Sequence, residues 1–183
     1  MLLNIIHLPH RADRMNLLQN ELTSQHIRDY KIWDGIVDRE KTCRGISRSH
    51  KQIVADAKAK GTPEVLIAED DIHFTAAGAY NFFMSKIPPE YDIYLGGVIW
   101  GKINSDNRVD DFSGTTLYLV HQRFYDILLS VSEEIDFDRA LANKGIFFVC
   151  NPMVVIQHSG YSDNQKRYIN FRTYRKGPRF YEQ

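Results

Sequence analysis

The sequence predicts an α/β sandwich with a largely parallel central sheet flanked by helices, and three observations carry that expectation. Short apolar runs alternate with segments of helical periodicity along most of the 183 residues. Parallel neighbours require crossover connections, which such an alternation supplies. The run Glu64-Val65-Leu66-Ile67-Ala68 ends in three consecutive carboxylates, Glu69, Asp70 and Asp71, as strands of open α/β sheets end in polar loops beyond their carboxyl edges.

The elements follow in order. Leu2 to Leu8 reads as a first buried strand, and Pro9-His10-Arg11 opens a loop before a helix over Ala12 to Leu22, with Met15, Leu18 and Leu22 on one face. Tyr30 to Trp33 is a second strand stopped by Asp34-Gly35. Ser49-His50-Lys51-Gln52 matches a capping box, which predicts a helix starting there, buried through Ile53, Val54 and Ala57 and closed by Gly61 and Pro63. After the acidic-tipped strand, Phe74 to Met84 reads as helical until Pro88-Pro89. Tyr91 to Leu95 is a strand ending at Gly96-Gly97, and Gly101 to Ser113, polar and rich in Asp, reads as a flexible loop near the site. Thr115 to Val120 forms a further strand, Phe124, Ile127, Leu128 and Val131 recur at helical spacing, and Ile146 to Cys150 and Met153 to Ile156 complete the strands.

This length suits one domain with a substantial core, expected over residues 1–160. Residues 161–183 form a basic, aromatic extension in which Lys166, Arg167, Arg172, Arg175, Lys176 and Arg179 alternate with Tyr168, Phe171, Tyr174, Phe180 and Tyr181. Three roles are open to it: folding over a diphosphate or acidic acceptor near the site, docking peripherally on an anionic membrane, or covering the sheet. With 23 Lys and Arg against 23 Asp and Glu, the chain has no global pull toward nucleic acid, and none is expected as a partner. Met1 to Leu8 is too short and lacks the basic flank of a signal peptide or spanning helix, so a cytoplasmic setting is expected. Cys43 and Cys150, far apart, are expected to be ordinary thiols.

The acidic triplet is the main chemical signal. Like charges at neighbouring positions repel, so three carboxylates at a strand exit point to a cation. If strand geometry persists, Glu69 and Asp71 share one face and Asp70 takes the other. Oxygen ligands without Cys or His favour Mg²⁺ or Mn²⁺ over Zn²⁺; a solvated turn that caps the next helix is the alternative. Arg11 and Arg14, at the end of the first strand, suit phosphate, although Arg14 equally suits an ion pair with Asp13 or Glu21. Helix capping accounts for Ser49, while His50 is a candidate to reach sugar or phosphate. Asp136 and Asp138 are candidate general bases, or structural residues at a helix start.

In order and spacing, these segments resemble glycosyltransferase family 25, which includes lipopolysaccharide-biosynthesis enzymes and procollagen galactosyltransferases. The similar segments are Asn4-Ile5-Ile6-His7-Leu8-Pro9 with Arg11 and Arg14, Asp34-Gly35, Gly45-Ile46-Ser47-Arg48-Ser49-His50, Leu66-Ile67-Ala68-Glu69-Asp70-Asp71-Ile72-His73-Phe74, Gly114 to Val120, and Asp138-Arg139-Ala140-Leu141 before Pro152 and Gln157. The acidic segment is the most specific of them. The resemblance implies a GT-A type nucleotide-sugar-binding fold and inverting transfer of a hexose, galactose favoured, from a UDP-sugar to a glycan acceptor such as a lipopolysaccharide precursor.

It implies a divalent cation, Mn²⁺ or Mg²⁺, held by Asp71 with Glu69, with His158 as a third ligand from late in the chain. Arg11, Arg14, Asp34, His50 and Glu69 would then face the donor, with Asp138 first and Asp136 second as base. Nucleotidyl or phosphoryl transfer, and a non-catalytic nucleotide-sugar-binding domain, are the other function classes these residues allow.

Overall fold

A computed structural model describes residues 1–171. The chain runs β1 (Leu3–His7), α1 (Ala12–Ser24), β2 (Tyr30–Asp34), α2 (Thr42–Ala59), β3 (Glu64–Glu69), β4 (Ile72–Phe74), α3 (Ala79–Ser85), β5 (Ile93–Leu95), β6 (Trp100–Ile103), β7 (Val109–Ser113) and β8 (Leu117–His121). A 3₁₀ turn (Gln122–Phe124) leads to α4 (Tyr125–Ser130), α5 (Phe137–Leu141), β9 (Phe147–Val149), β10 (Val155–Gln157), β11 (Gly160–Ser162) and β12 (Arg167–Ile169).

The central sheet has six strands in the order β2-β1-β3-β8-β5-β9. Pairing is parallel for β1/β2, β1/β3 and β5/β9, while β8 runs antiparallel between β3 and β5. The carboxyl ends of β1 and β3 therefore meet the amino end of β8 on one edge of the sheet, and the candidate site lies there.

Both faces of the sheet are covered at its central strands, which explains why β3 is apolar along its middle rather than alternating. Val65 and Ile67 pack with Ile53, Val54 and Ala57 of α2 on one face. Leu66 and Ala68 pack with Leu18 and Leu22 of α1 on the other. Outside the main sheet, β4 pairs with β10, β6 with β7, and β11 with β12, each pair antiparallel. Among the described residues no helix is long and apolar enough to cross a membrane.

Three elements depart from the sequence expectations. The helix bearing Ser49 begins at Thr42, so Ser49 lies inside α2 and caps nothing. Its hydroxyl donates to the Gly45 carbonyl (2.7 Å) and accepts from the Ile36 backbone N–H (2.7 Å), tying the β2–α2 loop to the helix. The expected loop from Gly101 to Ser113 is largely the β6/β7 hairpin, because Ile103, Val109 and Phe112 are buried and its acids lie between them. Asn107, with φ of +66°, makes the turn. Phe74 belongs to β4, where it pairs with Val155, and the helix starts only at Ala79.

In the C-terminal extension, Lys166, Arg167, Tyr168 and Phe171 fall within the described part; Arg172, Tyr174, Arg175, Lys176, Arg179, Phe180 and Tyr181 lie outside it.

Candidate active site

β3 ends at Glu69, and Asp70 and Asp71 form the turn into β4. All three acids line a cleft of about 540 Å³, a size that accommodates a small-molecule ligand.

Asp70 is fully engaged. Its Oδ2 lies 2.8 Å from His7 Nδ1 and its Oδ1 accepts from Arg14 at 2.7 Å, so it fixes the turn against β1 and α1. Asp71 Oδ2 lies 3.2 Å from Arg14 Nη1, whereas Asp71 Oδ1 is buried without any hydrogen-bond partner. A buried carboxylate oxygen with no donor is costly unless a cation or water serves it. Burial raises the affinity of Asp71 for its proton, and Arg14 opposes that only in part.

Glu69 accepts from Thr115 Oγ1 (2.8 Å) and from Gln157 Nε2 (3.3 Å). Burial and the neighbouring Asp71 charge push its carboxyl well above the ordinary glutamate range, despite the Thr115 hydrogen bond. Two carboxylates that both resist ionisation, one with an orphaned oxygen, have the oxygen chemistry a hard divalent cation takes. The residues at this point fit Mg²⁺ or Mn²⁺.

His50 forms part of the wall behind Glu69. It is 1% exposed, stacks on Phe137 at 4.4 Å, and places Nδ1 2.8 Å from the Tyr118 hydroxyl and Nε2 3.6 Å from Glu69 Oε1. Burial lowers its pKa to about 3, so the ring is neutral at neutral pH.

Asp138, in the first turn of α5, also faces the cleft. Its Oδ2 accepts from Ser113 Oγ (2.8 Å) and the Gly114 N–H (2.7 Å), and its Oδ1 from the Arg139 N–H (2.7 Å). A carboxylate has about four lone-pair positions, so these donors orient Asp138 and leave it capacity to accept one more proton-bearing group. Gly114 has φ of +107° and lies against Ile99, a backbone position that suits only glycine. Asp136 lies at the exposed rim, where it accepts from Asn164 Nδ2 at 3.0 Å.

Both arginines are engaged within the protein. Arg11 makes a two-point contact with Asp13 (2.9 and 2.8 Å) and reaches Asp163 (2.5 Å) and the Tyr161 carbonyl (3.2 Å). Arg14 pairs with Asp70 and Asp71, not with Asp13 or Glu21. Together they tie the β11/β12 hairpin to the turn after β1, and this hairpin forms one wall of the cleft.

One expected site residue sits elsewhere, and another is held by a different acid. Asp34 is exposed on the edge strand β2 and does not line the cleft. His158 lines it, and its backbone N–H donates to the Asp71 carbonyl at 2.7 Å, but its ring is engaged by another acid, with Nε2 3.1 Å from Glu21 Oε1. Sequence reasoning missed Thr115, Ser113 and Asp163 as partners of the acids and arginines. Nothing local marks them, since each partner is remote in the chain.

No protein-family model matches the sequence, and no curated protein matches it. Solved structures do. A197 from STIV is similar with a TM-score of 0.55 at 11% identity over 92% of both chains. The mannosyltransferase PcManGT from Pyrobaculum calidifontis, in complex with GDP-Man and Mn²⁺, has a TM-score of 0.53 at 10% identity, covering 89% of this chain and 58% of its own. A protein described as mannose-1-phosphate geranyltransferase from Thermus thermophilus has a TM-score of 0.50 at 10% identity, covering 86% of this chain and 75% of its own. Identities this low speak to fold, and the chain has a GT-A-like α/β fold with a mostly parallel central sheet flanked by helices.

Proposed function

We propose that the protein is a metal-dependent glycosyltransferase that takes a hexose from a nucleoside-diphosphate sugar bound in the cleft at the β1/β3/β8 edge. The observation that carries this reading is the orphaned Asp71 Oδ1 beside the proton-retaining Glu69. Asp71 and Glu69 would hold the cation, and a divalent cation there supplies charge neutralisation for a leaving diphosphate. The resemblance to glycosyltransferase family 25 and the fold shared with PcManGT support the same class.

The chain's own groups take the remaining roles. Arg14, held on Asp70 at 2.7 Å, would keep that pairing and, with its longer Asp71 contact (3.2 Å) given up to a cation, would have N–H groups to offer a phosphate. Asp138, held by Ser113 and Gly114, is oriented to take the acceptor hydroxyl proton in an inverting displacement. His50, neutral and stacked on Phe137, forms an apolar-backed wall behind Glu69 rather than carrying charge. The family resemblance favours galactose and a uridine base, whereas the donor named for PcManGT is GDP-Man; both purine and pyrimidine donors belong in the test.

The test is acceptor-stimulated release of nucleoside diphosphate from a panel of UDP- and GDP-sugars, with Mn²⁺ or Mg²⁺ and after chelation. Release that needs metal and falls by at least about 100-fold in Asp138→Asn is the expected result. Pyrophosphate release from a nucleoside triphosphate and a sugar phosphate would instead assign nucleotidyl transfer. Donor binding without turnover across a broad acceptor panel would assign a binding domain.

A further inference from the structure

Glu21 near the end of α1, His73 in β4 and His158 just after β10 converge from three separate elements. His73 Nδ1 lies 2.6 Å and His158 Nε2 3.1 Å from the same oxygen, Glu21 Oε1, and the imidazole centroids are 4.6 Å apart. The other carboxylate oxygen, Oε2, accepts from the Phe74 N–H at 2.9 Å, which fixes the plane of the carboxylate.

We infer that Glu21, His73 and His158 form a second metal site, of the two-imidazole, one-carboxylate type that takes Zn²⁺-class ions. One oxygen facing two ring nitrogens requires both rings to donate to it, whereas an ion among the three atoms satisfies all of them by their lone pairs. A tetrahedral ion with bonds of about 2.0–2.1 Å separates its ligand atoms by about 3.3 Å. The three ligand atoms lie within 4.8 Å of one another, so a small adjustment of the rings accommodates the ion.

The donor set differs in kind from the carboxylate pair at Glu69 and Asp71. Imidazole nitrogen suits Zn²⁺ and its neighbours in the transition series, and carboxylate oxygen alone suits Mg²⁺ or Mn²⁺. With three protein ligands the fourth position is open to solvent, and the His73 side chain is 38% exposed, which gives the ion a way in. The Phe74 N–H on Glu21 is the outer-shell partner such a ligand needs.

Such an ion would brace the acidic turn. His73 follows Asp71 by two positions in the chain, and the His158 backbone donates to the Asp71 carbonyl. An ion joining them to α1 would fix the turn that carries Asp71.

The experiment is a titration of the tag-free, chelator-stripped full chain with Co²⁺, a spectroscopic substitute for Zn²⁺, followed by Zn²⁺ competition. The expected result is an intense visible band of tetrahedral Co²⁺ that saturates at one ion per chain and is displaced by Zn²⁺. The band weakens in affinity by at least about 100-fold in His73→Ala and in Glu21→Gln and persists in Asp71→Asn. Absence of the tetrahedral band in the unmodified chain overturns the inference without any variant. So does a band that survives both His73→Ala and Glu21→Gln, or one lost in Asp71→Asn, which would move the ion to the cleft. Failure of the nucleotide-sugar reading leaves each of these outcomes unchanged.

Discussion

Asp71 Oδ1 and the Glu69 carboxyl are where local stability is given up at the proposed site. Leaving a buried acceptor unsatisfied costs about 1–3 kcal/mol, and Glu69 adds the cost of ionising beside another acid. The sign for Glu69 follows from linkage. Its folded pKa is raised, so its favourable contribution is complete below the ordinary glutamate range and is lost as pH rises through the folded value. Glu69→Gln, which cannot ionise, is therefore expected to raise the melting temperature of the metal-free chain at about pH 8 and to lose that advantage near pH 4; thermal unfolding at both values checks it. His50 has the opposite sign. Its pKa falls from 6.5 to about 3, so its contribution is present above pH 6.5 and is lost as pH falls toward 3. His50→Gln should flatten the acid side of the stability profile, read as the slope of unfolding free energy against pH below about 6.5. The acids were legible at this scale because consecutive like charges after an apolar strand need a reason. Their partners were not, since Thr115 and Gln157 meet Glu69 from 46 and 88 positions away.

At the scale of elements, α2 shows how a local rule misleads. Ser49-His50-Lys51-Gln52 satisfies the capping pattern, and Gly45 lowers helix propensity before it. The helix nevertheless extends back to Thr42, because Gly45 lets the β2–α2 loop approach the helix surface. A Cβ there would stand 2.3 Å from the Ile36 carbonyl oxygen and 2.9 Å from the Asp38 nitrogen. Gly45→Ala is expected to cost about 1–3 kcal/mol by displacing that loop, whose Ile36, Val37 and Asp38 line the cleft; urea unfolding measures it. The β6/β7 hairpin was hidden for a related reason. Asp110 and Asp111 read as loop residues, yet their neighbours Val109 and Phe112 are fully buried, and Phe112 packs edge-on against Phe147 of β9. The tertiary core thus overrides a polar local composition. Strands β1, β3 and β8 were legible because both faces of each are covered, which leaves an apolar run with few interruptions.

For the whole molecule, the α/β class followed from alternation, but the direction of β8 did not. A buried strand reads alike in either direction, and the antiparallel placement of β8 is what brings Thr115 to the carboxyl edge of β3. The role of the β11/β12 hairpin was equally illegible, since Arg11 and Asp163 meet across 152 positions. The cleft is assembled from the turn after β1, the β2–α2 loop, the acidic turn, Asp138 and this hairpin. Its charge is held in internal ion pairs that a cation and a diphosphate would exchange for their own. An ion bound at 100 times its dissociation constant stabilises by about 2.7 kcal/mol, which for a chain of this size is a rise of roughly 5–10 °C. The measurement that tests this account most directly is calorimetric binding of a panel of UDP- and GDP-sugars to the intact chain and to Asp71→Asn, with and without Mn²⁺. Binding that requires Mn²⁺ and disappears in the variant is the expected result. Tight donor binding that ignores both the metal and the substitution, or no binding of any donor by the intact chain, would contradict it.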